Sequence, residues 1–558
     1  LNVGFLQAAP QLGNQYREDR VLRSYLRRVL PPQQLHALEG ELDALGEHAA
    51  HTWRRRVASV REEPRLTRWD AWGRRVDRIE LTQAWREGPG IAARHGLIAT
   101  GHDAALSSHA RVQQFAMVYL YHVASEFYTC PLAMTDGVAT ALKAVDDRAL
   151  HDRALPHFLS REAAKFWIAG QWMTETAGGS DVGHSETVAQ RDEHGAWRLT
   201  GRKWFTSAIN ADAALALARA QGNASGADGL ALFFLETRDE DGRWNGIRVD
   251  RLKDKLGTRE LPTAEIHLED ARATLVGEPA HGVRHIVPVL QVTRLWNSVG
   301  ALATMRRCIA LARDYAHRRV VFGRPLIEQP LYVDALASMQ AEYEAAFHLV
   351  FHAAELLGRI QANQADENQQ RLFRLLTPLA KLWTGKLAVL VASETVEAFG
   401  GMGYLEDSGI PQLLRDAQVF PIWEGASNVQ ALDAMQALAQ HGDTALHNAQ
   451  RALLAQAEGS DFAPALKMAQ DALAAAEARL RQQDHDRHAG EAGARGVALT
   501  CARAFAAALL ARHADWSLRA QADPRPLAAL RRFCSHGLNR LQLIAPPDAR
   551  SLATDLYA

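Results

Sequence analysis

The chain has little cysteine: four in 558 residues, at Cys130, Cys308, Cys501 and Cys534. They are far apart and form no CxxC pair, which argues against a disulfide framework and against a metal cluster. A reducing cytoplasm is the simple expectation, with no metal site. A charge of one sign is also missing. Lys plus Arg number 63 and Asp plus Glu 64, for a formal net charge of -1. No overall basic field draws the chain to nucleic acid or to a membrane. No uninterrupted apolar run reaches the roughly 18 residues of a membrane-spanning helix. The opening stretch, LNVGFLQAAPQLGNQY, lacks a charged segment followed by an apolar one, so it reads poorly as a signal peptide. No repeat of fixed period and no long low-complexity tract are visible.

What is present fits an ordinary globular chain, 47% apolar and 23% charged. Its length exceeds what one core serves, so several domains are expected. The pattern changes along the sequence. Residues 1–165 read as helical, with apolar residues three and four apart, a break near Pro31 and Pro32, and a short hairpin around Ala71-Trp72-Gly73. Residues 166–278 shorten to strand-like runs such as AWRLTGRKWFTSA, AALALARA and GLALFFLET, bounded by Gly, Asn and Asp. These predict an antiparallel sheet or small barrel, and no helices intervene to make a Rossmann arrangement. Residues 279–437 return to helices long enough for a bundle. Residues 438–558 add further helices, with RQQDHDRHAGEAGARG expected as a solvated loop or linker.

Four stretches carry possible chemistry, and each has two readings when taken alone. In WMTETAGGSDV, Gly178-Gly179-Ser180 reads as a tight turn or as backbone that a ligand approaches closely. GRKWFTSA offers two aromatics and two hydroxyls, either packed in a strand or set to cover a flat ring. In RRVVFGRPLIEQPL, Arg318 and Arg319 either cap a helix end or grip a phosphate. In VEAFGGMGY…PIWEGASNVQ, Ser427 and Asn428 open a helix whose free N–H groups suit an anion or a simple cap. There Glu424 is either a helix-leading acid or a base.

The order of these motifs resembles the acyl-CoA dehydrogenase family. TETAGGSD, KWFTS, RVVFGRP, FGGMGY and IWEGAS follow one another as that family's hallmarks do, over residues 90–440. The resemblance implies a mainly α fold with a central β-domain: N-terminal helices, an antiparallel β-barrel or sandwich and a C-terminal four-helix bundle, with an extra helical segment beyond. It implies FAD as cofactor, an acyl-CoA thioester of medium or long chain as substrate, and a place in fatty acid metabolism. An electron-transfer flavoprotein is implied as acceptor, and a homotetramer or homodimer as assembly. By the same match Glu424 falls on the catalytic base, with Arg294 near it. Met173, Thr174, Gly179, Ser180, Phe205, Thr206 and Ser207 fall on the flavin. Arg319, Phe322, Gln329, Glu397, Gly400, Gly401 and Asn428 fall on the dinucleotide portion.

Some positions depart from the family pattern. Phe205 stands where Trp is usual, Pro330 where Gln is common, Ala426 where Thr is frequent, Glu397 where Gln is frequent, and Glu260 where a small hydroxyl residue is usual. These departures, RWDAWGRRVD, RLKDKLG and the extra C-terminal segment resemble the AidB branch. That branch implies an alternative, a weak dehydrogenase that binds DNA in a stress response. From residue 441 onward there are 14 basic and 12 acidic residues, a surplus of two and a weak field for phosphates. Arg531, Arg532 and Arg540 are expected either on one basic helix face or on an ordinary solvated surface.

Overall fold

The computed structural model describes residues 7–57, 59, 61–441, 444–455, 461–483, 487–542 and 546–555. These divide into two compact units. The first unit gathers the described residues of Leu1–Val57, Leu106–Leu120 and Asn297–Ala558, and the second those of Ala58–Ala105 and Tyr121–Trp296.

The second unit holds the strands. A hairpin of β1 (Arg65–Trp69) and β2 (Arg75–Glu80) lies where the Ala71-Trp72-Gly73 turn predicts it. Helices α3 (Gln83–Arg94), α5 (Thr129–Lys143) and α6 (Arg148–Phe158) belong to this unit, while α4 (Ala110–His122) begins in the first. The main sheet has seven strands: β3 (Ala169–Trp172), β4 (Val188–Arg191), β5 (Trp197–Ser207), β6 (Ala213–Ala220), β7 (Leu230–Glu236), β8 (Ile247–Leu252) and β9 (Thr263–Val276). Strands β4, β5, β9, β7 and β6 pair in a closed ring, with β3 added to β6 and β8 to β9.

The sheet is mixed rather than uniformly antiparallel, because β6 runs parallel to both β3 and β4. Those two short strands carry no alternation long enough to be read from sequence. Both faces of β6 are buried from Ala213 to Ala218, which explains the apolar run there. Leu215 and Leu217 pack with Leu142, Phe158 and Val289 on one side. Ala214, Ala216 and Ala218 pack with Phe233, Val249 and Ile266 on the other.

The first unit is helical. It contains α1 (Arg20–Val29), α2 (Pro32–Val57), most of α7 (Gly282–Arg318), α8 (Pro330–Gln361) and α9 (Glu367–Ala398). Between α7 and α8 lies the small hairpin of β10 (Val320–Val321) and β11 (Arg324–Pro325). Next come α10 (Ile410–Ala417), α11 (Ser427–His441), α12 (Thr444–Leu454), α13 (Ala463–Gln483), α14 (Arg487–Gln521), α15 (Arg525–Ser535) and α16 (Pro546–Thr554). Local signals set the ends: Asp19 caps α1, Pro32 opens α2 without losing a helical hydrogen bond, and Asp366 with Gln369 forms a capping box on α9.

The expected linker RQQDHDRHAGEAGARG is corrected in part. Residues 481–483 end α13 and 487–496 begin α14, while 484–486 lie outside the described residues. Helix formation prevails there because Ala494 and Val497 are buried against neighbouring elements, and packing overrides the two glycines. Helices α9 and α14 are long and apolar enough to cross a membrane, but most of each apolar window is buried inside the protein, as in core helices.

Candidate active site

The β unit brings two of the motifs together. Trp204 donates its backbone N–H to the Thr174 carbonyl at 2.9 Å, tying the loop after β3 to β5. Beneath this contact lies a buried ion pair. Lys203 Nζ is 2.5 Å from Glu175 Oε1 and donates to the Leu217 carbonyl at 2.8 Å. Glu175 also accepts from the hydroxyls of Ser185 and Thr187 and from the Glu186 backbone N–H. Burial raises the Glu175 carboxyl, but the Lys203 ammonium and the two hydroxyls outweigh it and bring it below the ordinary carboxylate range. The loop then turns tightly at Gly178, where a Cβ would stand 2.1 Å from the Asp181 carbonyl oxygen. Met173 and Thr174 are half-buried, while Gly179 and Ser180 are exposed.

Strand β5 loses its regular pairing with β9 between Lys203 and Thr206. Such a bulge re-aims side chains. Phe205 therefore faces outward and is 49% exposed, while Thr206 is buried. The Thr206 hydroxyl has no hydrogen-bond partner among the described residues. Lys253 Nζ stands 3.6 Å from the centre of the Trp204 ring and 4.4 Å from that of Phe205. Ser207 Oγ is 3.2 Å from Thr263 Oγ1. A half-open aromatic next to an unsatisfied buried hydroxyl suits a flat ring with polar edges. Arg294 is half-buried on α7. Two residues on, Trp296 Nε1 donates to Asp136 at 2.7 Å, and Asp136 is 2.8 Å from His102 Nε2.

The helical unit holds the remaining predicted residues. Glu424 lies in the turn between α10 and α11 and is half-buried. Its φ is +55°, in the left-handed region. A non-glycine residue there costs about 1 to 3 kcal/mol and persists only where surrounding contacts impose it. Those contacts are visible. Gln430 Nε2 donates to the Glu424 carbonyl at 2.8 Å and to the Gly425 carbonyl at 3.3 Å. The buried Lys381 ammonium also donates to the Gly425 carbonyl. On the near side, Trp423 Nε1 donates to Asn297 Oδ1, and Asn297 Nδ2 donates to the Phe420 carbonyl at 3.4 Å. Gly385 lets α9 approach this turn: a Cβ there would be 3.0 Å from the Phe420 carbonyl oxygen.

Arg319 follows α7, and its carbonyl accepts from the Leu326 N–H, which closes the β10–β11 hairpin. Phe322, at φ +50°, forms the hairpin tip and is 97% exposed. Gln329 Nε2 donates to the Val321 carbonyl at 3.2 Å. The motif is thus a hairpin as well as a helix end. Glu397, Gly400, Gly401 and Asn428 are exposed, the first three around the end of α9 and the last in the first turn of α11.

Sequence reading missed the residues beneath the site: Glu175, Lys203, Lys253, Asn297, Lys381 and Gln430. The available signal was chemical mismatch, such as a lone lysine within the apolar LAKLW. Among the described residues, no three His, Cys, Asp or Glu side chains gather as metal ligands. The C-terminal arginines do not form one basic helix face. Arg540 lies beyond the end of α15, Arg532 bonds Asp334 and Ser338 of α8, and Arg531 pairs with Asp461.

Comparison with known proteins agrees along most of the chain. The adaptive response protein AidB N-terminal domain matches residues 8–163. The acyl-CoA dehydrogenase middle domain matches residues 170–271, and the acyl-CoA dehydrogenase C-terminal domain residues 280–439. An acyl-CoA dehydrogenase 11 C-terminal domain-like family matches residues 443–547. Acyl-CoA dehydrogenase family member 11 of Caenorhabditis elegans is 40% identical over 542 residues, 93% of this chain and 87% of that protein. Putative acyl-CoA dehydrogenase AidB of Escherichia coli (strain K12) is 35% identical over 395 residues, 69% of this chain and 70% of that protein. The crystal structure of Caenorhabditis elegans ACDH-11 in complex with C11-CoA matches with a TM-score of 0.94 and 36% identity, over 100% of this chain and 98% of that chain. The chain belongs to the acyl-CoA dehydrogenase family of oxidoreductases, in its AidB-like branch.

Proposed function

We propose that this chain is an FAD-dependent dehydrogenase that desaturates medium- or long-chain acyl-CoA thioesters between Cα and Cβ. The observation that carries the reading is Glu424, a carboxylate held in a costly left-handed backbone by buried donors on its own and its neighbour's carbonyl. Strain of this kind concentrates at functional sites. A C11-CoA complex in a relative that matches the whole chain supports the substrate class.

The β-unit residues fit a flavin. The half-exposed Phe205 ring, the unsatisfied Thr206 hydroxyl and the Ser207 hydroxyl supply one flat face and polar edge contacts. Met173, Thr174, Gly179 and Ser180 would also line the flavin, and Arg319, Phe322, Gln329, Glu397, Gly400, Gly401 and Asn428 would hold the dinucleotide portion. When bound, FAD supplies the acceptor for the β-hydride. Glu424 takes the α-proton as general base, assisted by its own backbone N–H donating to the thioester carbonyl as negative charge develops there. By the family resemblance Arg294 is the second residue assigned to the catalytic group.

The proposal includes four functional segments, residues 1–165, 166–278, 279–437 and 438–558. It also includes a homotetramer or homodimer, an electron-transfer flavoprotein as acceptor and a cytoplasmic location. DNA binding through the C-terminal segment is not favoured, because Arg503 and Arg532 are engaged with Glu342, Asp334 and Ser338 of α8.

Anaerobic mixing of the yellow protein with saturated acyl-CoAs of increasing length tests the reading. The flavin band is expected to bleach, fastest at the preferred length; no bleaching with any thioester would refute it. Glu424→Gln is expected to retain FAD and to slow reduction by more than a thousandfold, read by stopped-flow absorbance.

A further inference from the structure

We infer that Lys381 and Gln430 are positioning residues, a clamp that sets the peptide planes after Glu424 and so aims the carboxylate. The inference rests on the base role proposed above. Lys381 extends from α9 and Gln430 from α11, so the two donors arrive from different helices at the same short stretch. Both are completely buried, at 0% relative exposure. Lys381 Nζ reaches the Gly425 carbonyl, and Gln430 Nε2 reaches the carbonyls of both Glu424 and Gly425.

Burying an ammonium is expensive, so a lysine kept inside a helix packing surface signals a demand that a shorter or apolar side chain does not meet. The demand here is geometric. Glu424 at φ +55° lies in the left-handed region that a side chain disfavours, while Gly425 at φ +94° adopts a conformation that glycine takes freely, so the strained position is Glu424 itself. Fixing the two carbonyls fixes the ψ of Glu424 and with it the direction in which the side chain leaves the turn. The lysine does more than the glutamine in one respect: its charge makes the bond to the carbonyl stronger than a neutral one. Neither side chain touches the reacting atoms in this scheme. Each acts through Glu424.

The test uses the full-length flavoprotein carrying Lys381→Met or Gln430→Met. Each variant is expected to keep its flavin band and to bind acyl-CoA with KM changed by less than about threefold, while the rate of flavin reduction falls about tenfold or more. A residue that merely stabilised the fold would lower flavin content and melting temperature without that split between rate and KM. Hydrogen–deuterium exchange of a peptide covering residues 418–430 gives a readout free of catalysis. Faster exchange in either variant is expected, and rates of both reduction and exchange within twofold of wild type in both variants would overturn the inference. Where Lys381→Met does not fold, Gln430→Met decides by the same two readouts. If wild type is not reduced by any acyl-CoA, the proposed function fails, and the exchange measurement alone then supports or overturns the clamp.

Discussion

Two buried lysines, one in each unit, support the candidate residues around them in different ways. In the β unit, Lys203 ends on the Glu175 carboxylate and the Leu217 carbonyl, and the ion pair ties the loop after β3 to β5. In the helical unit, Lys381 ends on a backbone carbonyl, that of Gly425, and fixes one peptide plane. A side-chain ion pair joins segments and is valued as stability. A bond to the main chain beside a candidate base orients that base and is valued as rate. Equally buried cations need not serve the same end: the ion pair of Lys203 joins two segments of the β unit, while the bond from Lys381 falls on the turn that carries Glu424.

The largest expected effect breaks the first of these. Lys203→Met leaves the Glu175 carboxylate buried without its cation, which is expected to cost about 3 to 5 kcal/mol in denaturant unfolding. Adding Glu175→Gln is expected to restore part of that loss, because the uncompensated charge is then gone.

A third buried basic group sharpens the contrast, since it is held neutral. His513 Nδ1 accepts from Arg28 Nε at 3.1 Å, and its Nε2 lies 3.2 Å from Ser24 Oγ. An arginine nitrogen only donates, so that ring nitrogen carries no proton. Burial, then Arg28, Arg20 and Arg512, push the His513 imidazole down to about 2, with Asp523 opposing. The ordinary unfolded value is about 6.5, so below that pH the unfolded chain binds the extra proton first. Stability is expected to be full above about pH 6.5. It then declines by up to about 1.4 kcal/mol per pH unit toward about pH 2, where the folded state also takes the proton, as read by urea melts at successive pH values. His513→Gln is expected to flatten that slope.

A smaller effect is expected from Gly385→Ala. The new Cβ meets the Phe420 carbonyl at 3.0 Å and shifts the turn that carries Glu424. Flavin reduction is expected to slow about tenfold, near 1.4 kcal/mol, with little change in melting temperature. At the bottom of the scale, Arg531→Ala removes an exposed pair with Asp461. It is expected to change unfolding free energy by less than about 0.5 kcal/mol.

Much of this was readable from residue order. The helix, strand and hairpin patterns placed β5, β6, β7 and β9 and the long helices α7, α8 and α9, because amphipathic period and turn residues are local properties. Strands β3 and β4 escaped because four residues are too few to show a period, and their pairing with β6 is non-local. The start of α14 escaped because its glycines argue for a loop, and only the burial of Ala494 and Val497 outweighs them. The four cysteines are buried and not joined in disulfides, with burial raising the Cys308 and Cys501 thiols to about 12 and Cys534 to about 11.

The sequence by itself determined the order of motifs, the type of most elements, the family and the identity of Glu424 as the carboxylate to examine. Tertiary structure alone decided what holds that carboxylate. Lys381 meets Gly425 across 44 residues, and Asn297 meets Trp423 across 126. Helical spacing predicts neighbours only three or four positions away. Which distant carbonyl a buried donor reaches depends on how helices pack, and no local pattern encodes that.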